Sequence, residues 1–494
     1  MPYKFPGVYV EKKTYVSQPD IDTRCVTGFV GLTEKGELNK PVLIRSFDEY
    51  RQNFGNIAGP GKLPLAVASY FQNGGDECMV VRIANPETAK RASYEFSDES
   101  GSFTMTIKSE GEWGNEFKVS AWRDGDGYFS LSLQRGDEVE NLLHMSYSVY
   151  DERYFARYIN ETSRFVTAEA KGDFKLIEPC IFQNFTGGND GVDGIKAGHF
   201  LGHYNSPADY SGLNSYRHFD EVKLLSVPDI DILKEDYVGI FQIHYEMMFQ
   251  SEEFRNRFAL LDLPANLTVD QACEWADSLD SAFAACYYPN IVVGLPASFG
   301  GGGGAVPASG AIAGMIAKSD HDRGIFVPPA GQVLKGVPAI AGKLSKPEME
   351  MLYAHSVNFF KEVRGQGIKV WGCKTLSSDT EWNMINVRRT FSAICKYLKE
   401  ETRWAVFENN NQALQKRLVR YVTAFLLNLW RKGYLHGNTP DEAFYIKCDE
   451  ETNPPENVDM GILSFEIGLA ISRPFEFFKV VFSSDKNGSN VMME

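Results

Sequence analysis

A serine nucleophile needs a strained strand-to-helix turn of the form GxSxG to expose its hydroxyl, and neither PASFGG nor VPASGAIAG has that form. A phosphate-cradling loop needs GxxxxGK followed by Ser or Thr. Gly61-Lys62 is followed by Leu63 and Gly342-Lys343 by Leu344, and both lack the upstream glycine. The run Gly300 to Gly304 could turn backbone amides toward an anion, but no Lys or Arg stands near it. Polyglycine is costly to order, so the run reads as a flexible loop at the carboxyl end of a buried strand. His199 and His203 have i, i+4 spacing without the HExxH carboxylate that would make them zinc ligands. Cysteines Cys25, Cys78, Cys180, Cys273, Cys286, Cys373, Cys395 and Cys448 are scattered, the closest pair 13 residues apart. That spacing gives neither a zinc ribbon nor a CxxC pair, and apolar contexts such as AACYYP make most of them buried thiols. No cofactor, metal or catalytic residue is expected. An α/β enzyme would carry its site at the carboxyl ends of the strands, near Pro228-Asp229, Asp262 and Gly300 to Gly304. One further cluster, Lys416, Arg417, Arg420, Arg431 and Lys432, falls on a helical stretch over 413–433. It reads either as a solvated polar face or as a cationic strip that docks on an acidic protein surface.

The chain that must position these residues has 494 of them, enough for two or three domains. A hydrophobic content of 43% with 23% charged residues excludes wholesale disorder. Fifty Lys and Arg against 65 Asp and Glu leave a net charge of −15. Such a surface repels phosphate backbones and anionic lipid, so nucleic acid is not an expected partner. With no stretch of about 18 uncharged apolar residues, direct membrane insertion is not expected either. MPYKFPGVYVEKK lacks the charged and apolar regions of a signal peptide, which predicts synthesis in the cytoplasm.

The periodicities predict an α/β multidomain chain. Residues 1–24 read as an extended arm, because Pro2, Pro6 and Pro19 forbid a helix while VYVEKKTYV favours a strand. Residues 25–94 alternate strand and helix, with Ser46 placed as an N-cap, and form the first part of an α/β core. Over 95–190, short alternating runs such as SFTMTIKS and YFSLSLQR predict an inserted β-rich domain with one helix at ERYFARYINETS. Residues 191–379 form the main domain: EVKLLSVPD, FALLDLP and AACYYPNIVV are near-continuous apolar runs, each followed by a helical pattern. That order predicts a parallel sheet covered on both faces. In 380–494, Val387, Phe391, Ile394 and Leu398, then Leu414, Leu418, Tyr421, Phe425 and Leu429, mark two amphipathic helices, and strand-like runs close the chain.

Several strings, taken in order, resemble one family: the sheath proteins of contractile tails, found in contractile phages, phage-tail-like bacteriocins and extracellular contractile injection systems. Phe5-Pro6-Gly7-Val8-Tyr9-Val10-Glu11 is similar to the family's opening arm, and Gly28-Phe29-Val30-Gly31 to its first core strand. Tyr70-Phe71-Gln72-Asn73-Gly74-Gly75, Trp113-Gly114-Asn115, Tyr287-Tyr288-Pro289 and Val306-Pro307-Ala308-Ser309-Gly310 continue the likeness. The most specific run is Val370-Trp371-Gly372-Cys373-Lys374-Thr375-Leu376-Ser377-Ser378-Asp379, followed by Ile385-Asn386-Val387-Arg388-Arg389 and Trp404-Ala405-Val406-Phe407-Glu408. Cys373 and Lys374 stand where the family has a small residue and Arg.

The resemblance implies a structural protein rather than an enzyme: a subunit that stacks as hexameric rings around an inner tube and contracts to drive the tube through a target envelope. It implies a released or cell-associated injection particle, with the tail of a contractile bacteriophage as the alternative. Partners would be further copies of the chain, the inner tube protein, and baseplate and terminal cap proteins. The 95–190 insert would face outward. Neighbouring copies would exchange terminal strands through Phe5, Val8, Tyr9 and Val10 and through Phe475, Phe477, Phe478, Val480 and Phe482, while Lys416, Arg417 and Arg420 would meet the tube.

Overall fold

The computed structural model describes residues 20–474 except 58, 126, 410 and 461, together with the backbone of Val480–Asp485 and Gly488–Met493. The chain divides into two compact units, one of Arg24–Arg323 with Pro329–Ile385, the other of Gly324–Pro328 with residues 1–23 and 386–494.

The first unit is built on an eight-stranded sheet. Its strands lie in the order Val42–Ile44, Cys78–Arg82, Val26–Gly31, Val222–Ser226, Phe258–Asp262, Ala284–Tyr288, Asn358–Val363 and Gly367–Trp371. The inner strands run parallel. Both edge strands are antiparallel, so the sheet is mixed where the sequence predicted a parallel one. The reason at one edge is chain length: residues 364–366 join the last two strands, too few for the crossover a parallel partner needs. Val26–Gly31, Cys78–Arg82 and Phe258–Asp262 are buried along their whole length, as strands covered on both faces must be.

Helices Phe47–Phe54, Leu63–Gln72 and Ser309–Arg323 pack on one face of the sheet, and Tyr237–Phe254, Val269–Asp277 and Lys346–Ala354 on the other. Their starts are written locally. Ser46 Oγ accepts from Glu49 N, and Thr268 with Gln271 and Ser345 with Glu348 form reciprocal capping boxes. Leu63–Gln72 and Ser309–Arg323 approach each other closely because Gly310 and Gly314 present no side chain to Ala66 and Tyr70.

The predicted single strand AACYYPNIVV is two strands. Pro289 has no N–H to continue a ladder, and the chain leaves the main sheet there. Ile291–Gly294 then pairs with Gly303–Val306 and Ala339–Ile340 in a separate three-stranded antiparallel sheet.

Between Ser93 and Asn184 the same unit carries two antiparallel sheets, one of four strands and one of three, with the helix Phe155–Thr162 beside them. Alternating burial along Gly101–Ile107 points Phe103, Met105 and Ile107 into a core shared with Phe129, Phe155 and Phe174. Arg135 ties this region to the segment after Val26–Gly31 through its ion pair with Glu34, and pairs within the region with Glu116.

In the second unit, helices Ile385–Glu401 and Gln412–Arg431 bury Ile394, Leu398, Val422, Phe425, Leu426 and Leu429 together with Ile21 and Ile325. Strands Phe444–Lys447 and Glu466–Leu469 form a two-stranded antiparallel sheet, and Val480–Asp485 pairs with Gly488–Met493 in another. No helix among the described residues is long and apolar enough to cross a membrane.

Candidate functional site

The carboxylates at the strand ends are engaged in holding helices. Asp229 follows the strand Val222–Ser226 and is buried; its Oδ2 accepts from Leu32 N at 2.6 Å, and its Oδ1 accepts from Leu63 N at 3.1 Å and from Lys62 N. It therefore gathers the first amides of the Leu63–Gln72 helix, the positive end of that helix. Gly31 and Gly61 make room for it, since a Cβ at either would stand 2.2 Å or 2.7 Å from a carboxylate oxygen. Burial pushes Asp229 up to about 6, against the pull of the three amides. Asp262 ends the strand Phe258–Asp262 and accepts from the backbone N of Ser309 at 3.1 Å and from its hydroxyl. Ser309 Oγ also lies 2.7 Å from Ser226 Oγ. Burial pushes Asp262 up to about 7, with the Ser309 contacts opposing. Both carboxyls and Ser309 are sealed from solvent, so the place where an α/β enzyme would keep its chemistry is a pair of buried helix anchors.

The remaining sequence candidates are placed as follows. The glycine run, read as a flexible loop at the end of a buried strand, is the tip of a hairpin: Gly300, Gly301 and Gly302 turn with positive φ, and Gly303 and Gly304 pair with Gly294 and Val293. His199 and His203 do not share a helix, because Ala197–Leu201 ends between them. His199 Nδ1 accepts from Lys196 N, and burial lowers its pKa. His203 bridges Ser211 Oγ and Asp209 Oδ1, each at 2.8 Å, on an exposed hairpin. Among the described residues no group of three or more His, Cys, Asp or Glu is placed to hold a metal. Cys25, Cys78, Cys273, Cys286 and Cys373 are buried, whereas Cys395 is exposed.

The cationic strip is brought together. Asn411 caps the Gln412–Arg431 helix by accepting from Leu414 N at 3.0 Å, and burial of Leu414 and Leu418 turns Lys416, Arg417 and Arg420 outward. Arg417 lies over the Trp404 ring at 4.2 Å, with Nη1 3.9 Å from Glu408. A groove of about 900 Å³ runs between Lys416, Val419 and Arg420 on one side and Asp449, Glu450 and Glu451 on the other. The sequence named Trp404-Ala405-Val406-Phe407-Glu408, the loop beside the strip, as part of the family likeness but assigned it no contact. There Val406 is 60% exposed, and Phe407 is fully exposed with a left-handed φ of 70°. The signal available was an apolar pair, Val406-Phe407, in a segment with neither helical nor strand periodicity. The proposed strand-exchange residues Phe5, Val8, Tyr9, Val10, Phe475, Phe477 and Phe478 lie outside the described residues, as do the side chains of Val480 and Phe482.

Residues 246–376 match the phage tail sheath protein central domain, and residues 377–483 match the phage tail sheath C-terminal domain. Residues 246–483 thus carry the central and C-terminal domains of a contractile tail sheath protein. It is 27% identical over 181 residues to the tail sheath protein of Vibrio phage KVP40, which covers 36% of this chain and 26% of that one. To the tail sheath protein of Enterobacteria phage T4 it is 26% identical over 193 residues, 37% of this chain and 28% of that one. The chain thus aligns with little more than a quarter of the length of these relatives. Its fold is similar to that of the anti-feeding prophage helical sheath in the contracted state, with a TM-score of 0.57 at 20% identity over 98% of this chain and 100% of that one. The family's members are structural sheath proteins rather than enzymes.

Proposed function

We propose that this chain is the sheath subunit of a contractile, phage-tail-like injection system. The observation that carries the reading is the fold likeness to the anti-feeding prophage sheath over nearly the whole of both chains, alongside the two matched sheath domains. In this reading copies stack as hexameric rings around an inner tube, with the 95–190 insert facing outward and residues 380–494 facing the tube. Strands donated from residues 3–17 and 474–484 add to sheets of neighbouring copies, where main-chain hydrogen bonds give affinity and alternate side chains give register. On triggering, rigid subunits rotate and repack into a shorter, wider lattice while the exchanged strands hold the mesh together. The driving force is the difference between two sets of intersubunit contacts. At about 1 kcal/mol per subunit, the order of one net hydrogen bond, it becomes large over a whole sheath.

Deletion of residues 1–17 tests the reading. The truncated subunit should fold and form no tubular lattice in negative-stain images, and normal sheaths from it would reject strand exchange. Charge reversal at Lys416, Arg417 and Arg420 should uncouple sheath from tube, and extended particles of normal yield and length would reject that contact. The tail of a contractile bacteriophage is the second reading, favoured by the KVP40 and T4 relatives. Capsid and terminase genes beside this one would select it.

A further inference from the structure

The loop that precedes the cationic helix holds a feature that subunit stability alone does not explain. Phe407 is fully exposed, and its φ of 70° is left-handed, a conformation that bulky residues avoid. Val406 beside it is also exposed. The loop around them is nevertheless fixed: Ala405 N donates to Thr402 O at 3.0 Å, Val406 N to Arg403 O at 3.1 Å and Glu408 N to Ala405 O at 3.2 Å. Arg417 stacks on Trp404 and approaches Glu408, so the loop is joined directly to the strip. A strained backbone that holds an aromatic ring in water is the arrangement expected where the ring's partner lies on another molecule.

We infer that Val406 and Phe407 form an apolar anchor that enters a pocket on an acidic protein surface, with Lys416, Arg417 and Arg420 forming the cationic rim of the same contact. The inference rests on the reading that this strip meets the inner tube. It deepens that reading by assigning affinity to the ring and steering to the charges, the usual division between a buried aromatic centre and a charged rim. Continuity with the strip through Arg417 selects an acidic occupant, an apolar pocket rimmed by carboxylates. Those carboxylates would compete with Glu408 and with the Asp449, Glu450 and Glu451 side of the groove for Lys416, Arg417 and Arg420.

Co-sedimentation of the full-length subunit with purified inner tubes of the same particle tests this. Phe407→Ala should lower the sheath retained on tubes roughly tenfold or more, the scale of an interface hot spot, with no fall in the unfolding midpoint. Phe407→Gly should show the same loss with an unchanged or higher midpoint, because glycine accepts the left-handed backbone. Phe407→Leu should retain most of the binding. If Phe407→Ala binds tubes like the unaltered chain while charge reversal at the strip abolishes binding, the anchor is wrong and the strip stands. If neither change affects binding, the tube-contact reading itself falls and takes the anchor with it. If Phe407→Ala instead stops copies of the chain from assembling without tubes, the occupant is a second copy and the proposal is overturned.

Discussion

Glycine at 310 and 314 should be worth more than any helix-forming replacement. An ideal Cβ at Gly310 would stand 2.3 Å from the carbonyl oxygen of Ala66, and one at Gly314 would stand 2.1 Å from that of Tyr70. Both obstacles are backbone atoms of the Leu63–Gln72 helix, so no side chain can swing aside. To reach an ordinary contact the two helices must part by roughly 1 Å, a gap that forfeits a quarter to a half of the dispersion well of each pair across the seam. Overpacking of this kind costs about 1–3 kcal/mol, while Gly→Ala inside a helix returns about 0.5–1 kcal/mol of backbone entropy. Gly314→Ala should therefore destabilise by about 1–2 kcal/mol net. The double variant with Gly310→Ala should cost less than the sum of the two, because one displacement relieves both clashes. Gly198→Ala is the control, since a Cβ there has nothing within 4 Å and the residue is exposed in the short Ala197–Leu201 helix. Urea unfolding followed by far-UV circular dichroism, with amide exchange of residues 63–72, reads the effect. A Gly314→Ala variant as stable as Gly198→Ala, with unchanged exchange, would refute close contact between these helices.

Asp229→Ala leaves two buried amide donors and one half-buried one without their acceptor and should cost about 3 kcal/mol or more, seen as a large drop in melting temperature. Asp262 and Asp229 have folded pKa values of about 7 and about 6, above the ordinary value of about 3.9 for the unfolded chain. The folded state then binds more protons between those limits. The stability these groups contribute is full below about pH 4 and is lost as pH rises to about 7, so Asp262→Asn should flatten the fall in urea midpoint between pH 5 and pH 8. A slope unchanged by Asp262→Asn would remove this residue as its source. Reversing Lys416, Arg417 and Arg420 together should shift the melting temperature little, because all three side chains are exposed. A bulky maleimide should label Cys395 in the native chain well before Cys25, Cys78 or Cys286, and mass spectrometry of peptides would reveal any reversal of that order.

The elements legible in the sequence are those whose burial pattern is local. FALLDLP has no polar residue to expose before Asp262, and it is a central strand buried throughout. The 4, 3, 4, 4 spacing from Leu414 to Leu429 placed a helix over 413–433, and the helix spans Gln412–Arg431. What depends on partners distant in sequence was not legible. Asp229 meets Lys62 from 167 residues away and Asp262 meets Ser309 from 47, so their work as helix anchors left no trace in spacing. Glycines 300 to 304 carry no side-chain pattern and gave no sign of the hairpin they close. The cationic strip was legible because helical spacing alone gathers Lys416, Arg417 and Arg420, but the left-handed backbone of Phe407 belongs to a residue type that rarely adopts it.

The same anchors bear on how such a subunit could transmit force. In a doubly covered sheet the carboxyl ends of the strands are usually where loops open into a crevice. Here one such end is fastened to the start of Leu63–Gln72 by Asp229, and the next to the start of Ser309–Arg323 by Asp262. The two fastened helices are then locked against each other at Gly310 and Gly314. Sheet and helices thereby form a closed mechanical loop, in which displacing one helix must break buried hydrogen bonds or open a packed seam. Each of those steps costs more than the roughly 1 kcal/mol per subunit that would already suffice to drive the proposed contraction. A lattice driven by so small a difference can rearrange only where its subunits are softer than this loop. In the proposed contraction the movement would then lie at contacts between copies, with the sheet and these two helices rigid. Amide exchange across Leu63–Gln72 and Ser309–Arg323 should therefore be the same in extended and contracted particles, and a large difference there would show that the subunit itself deforms.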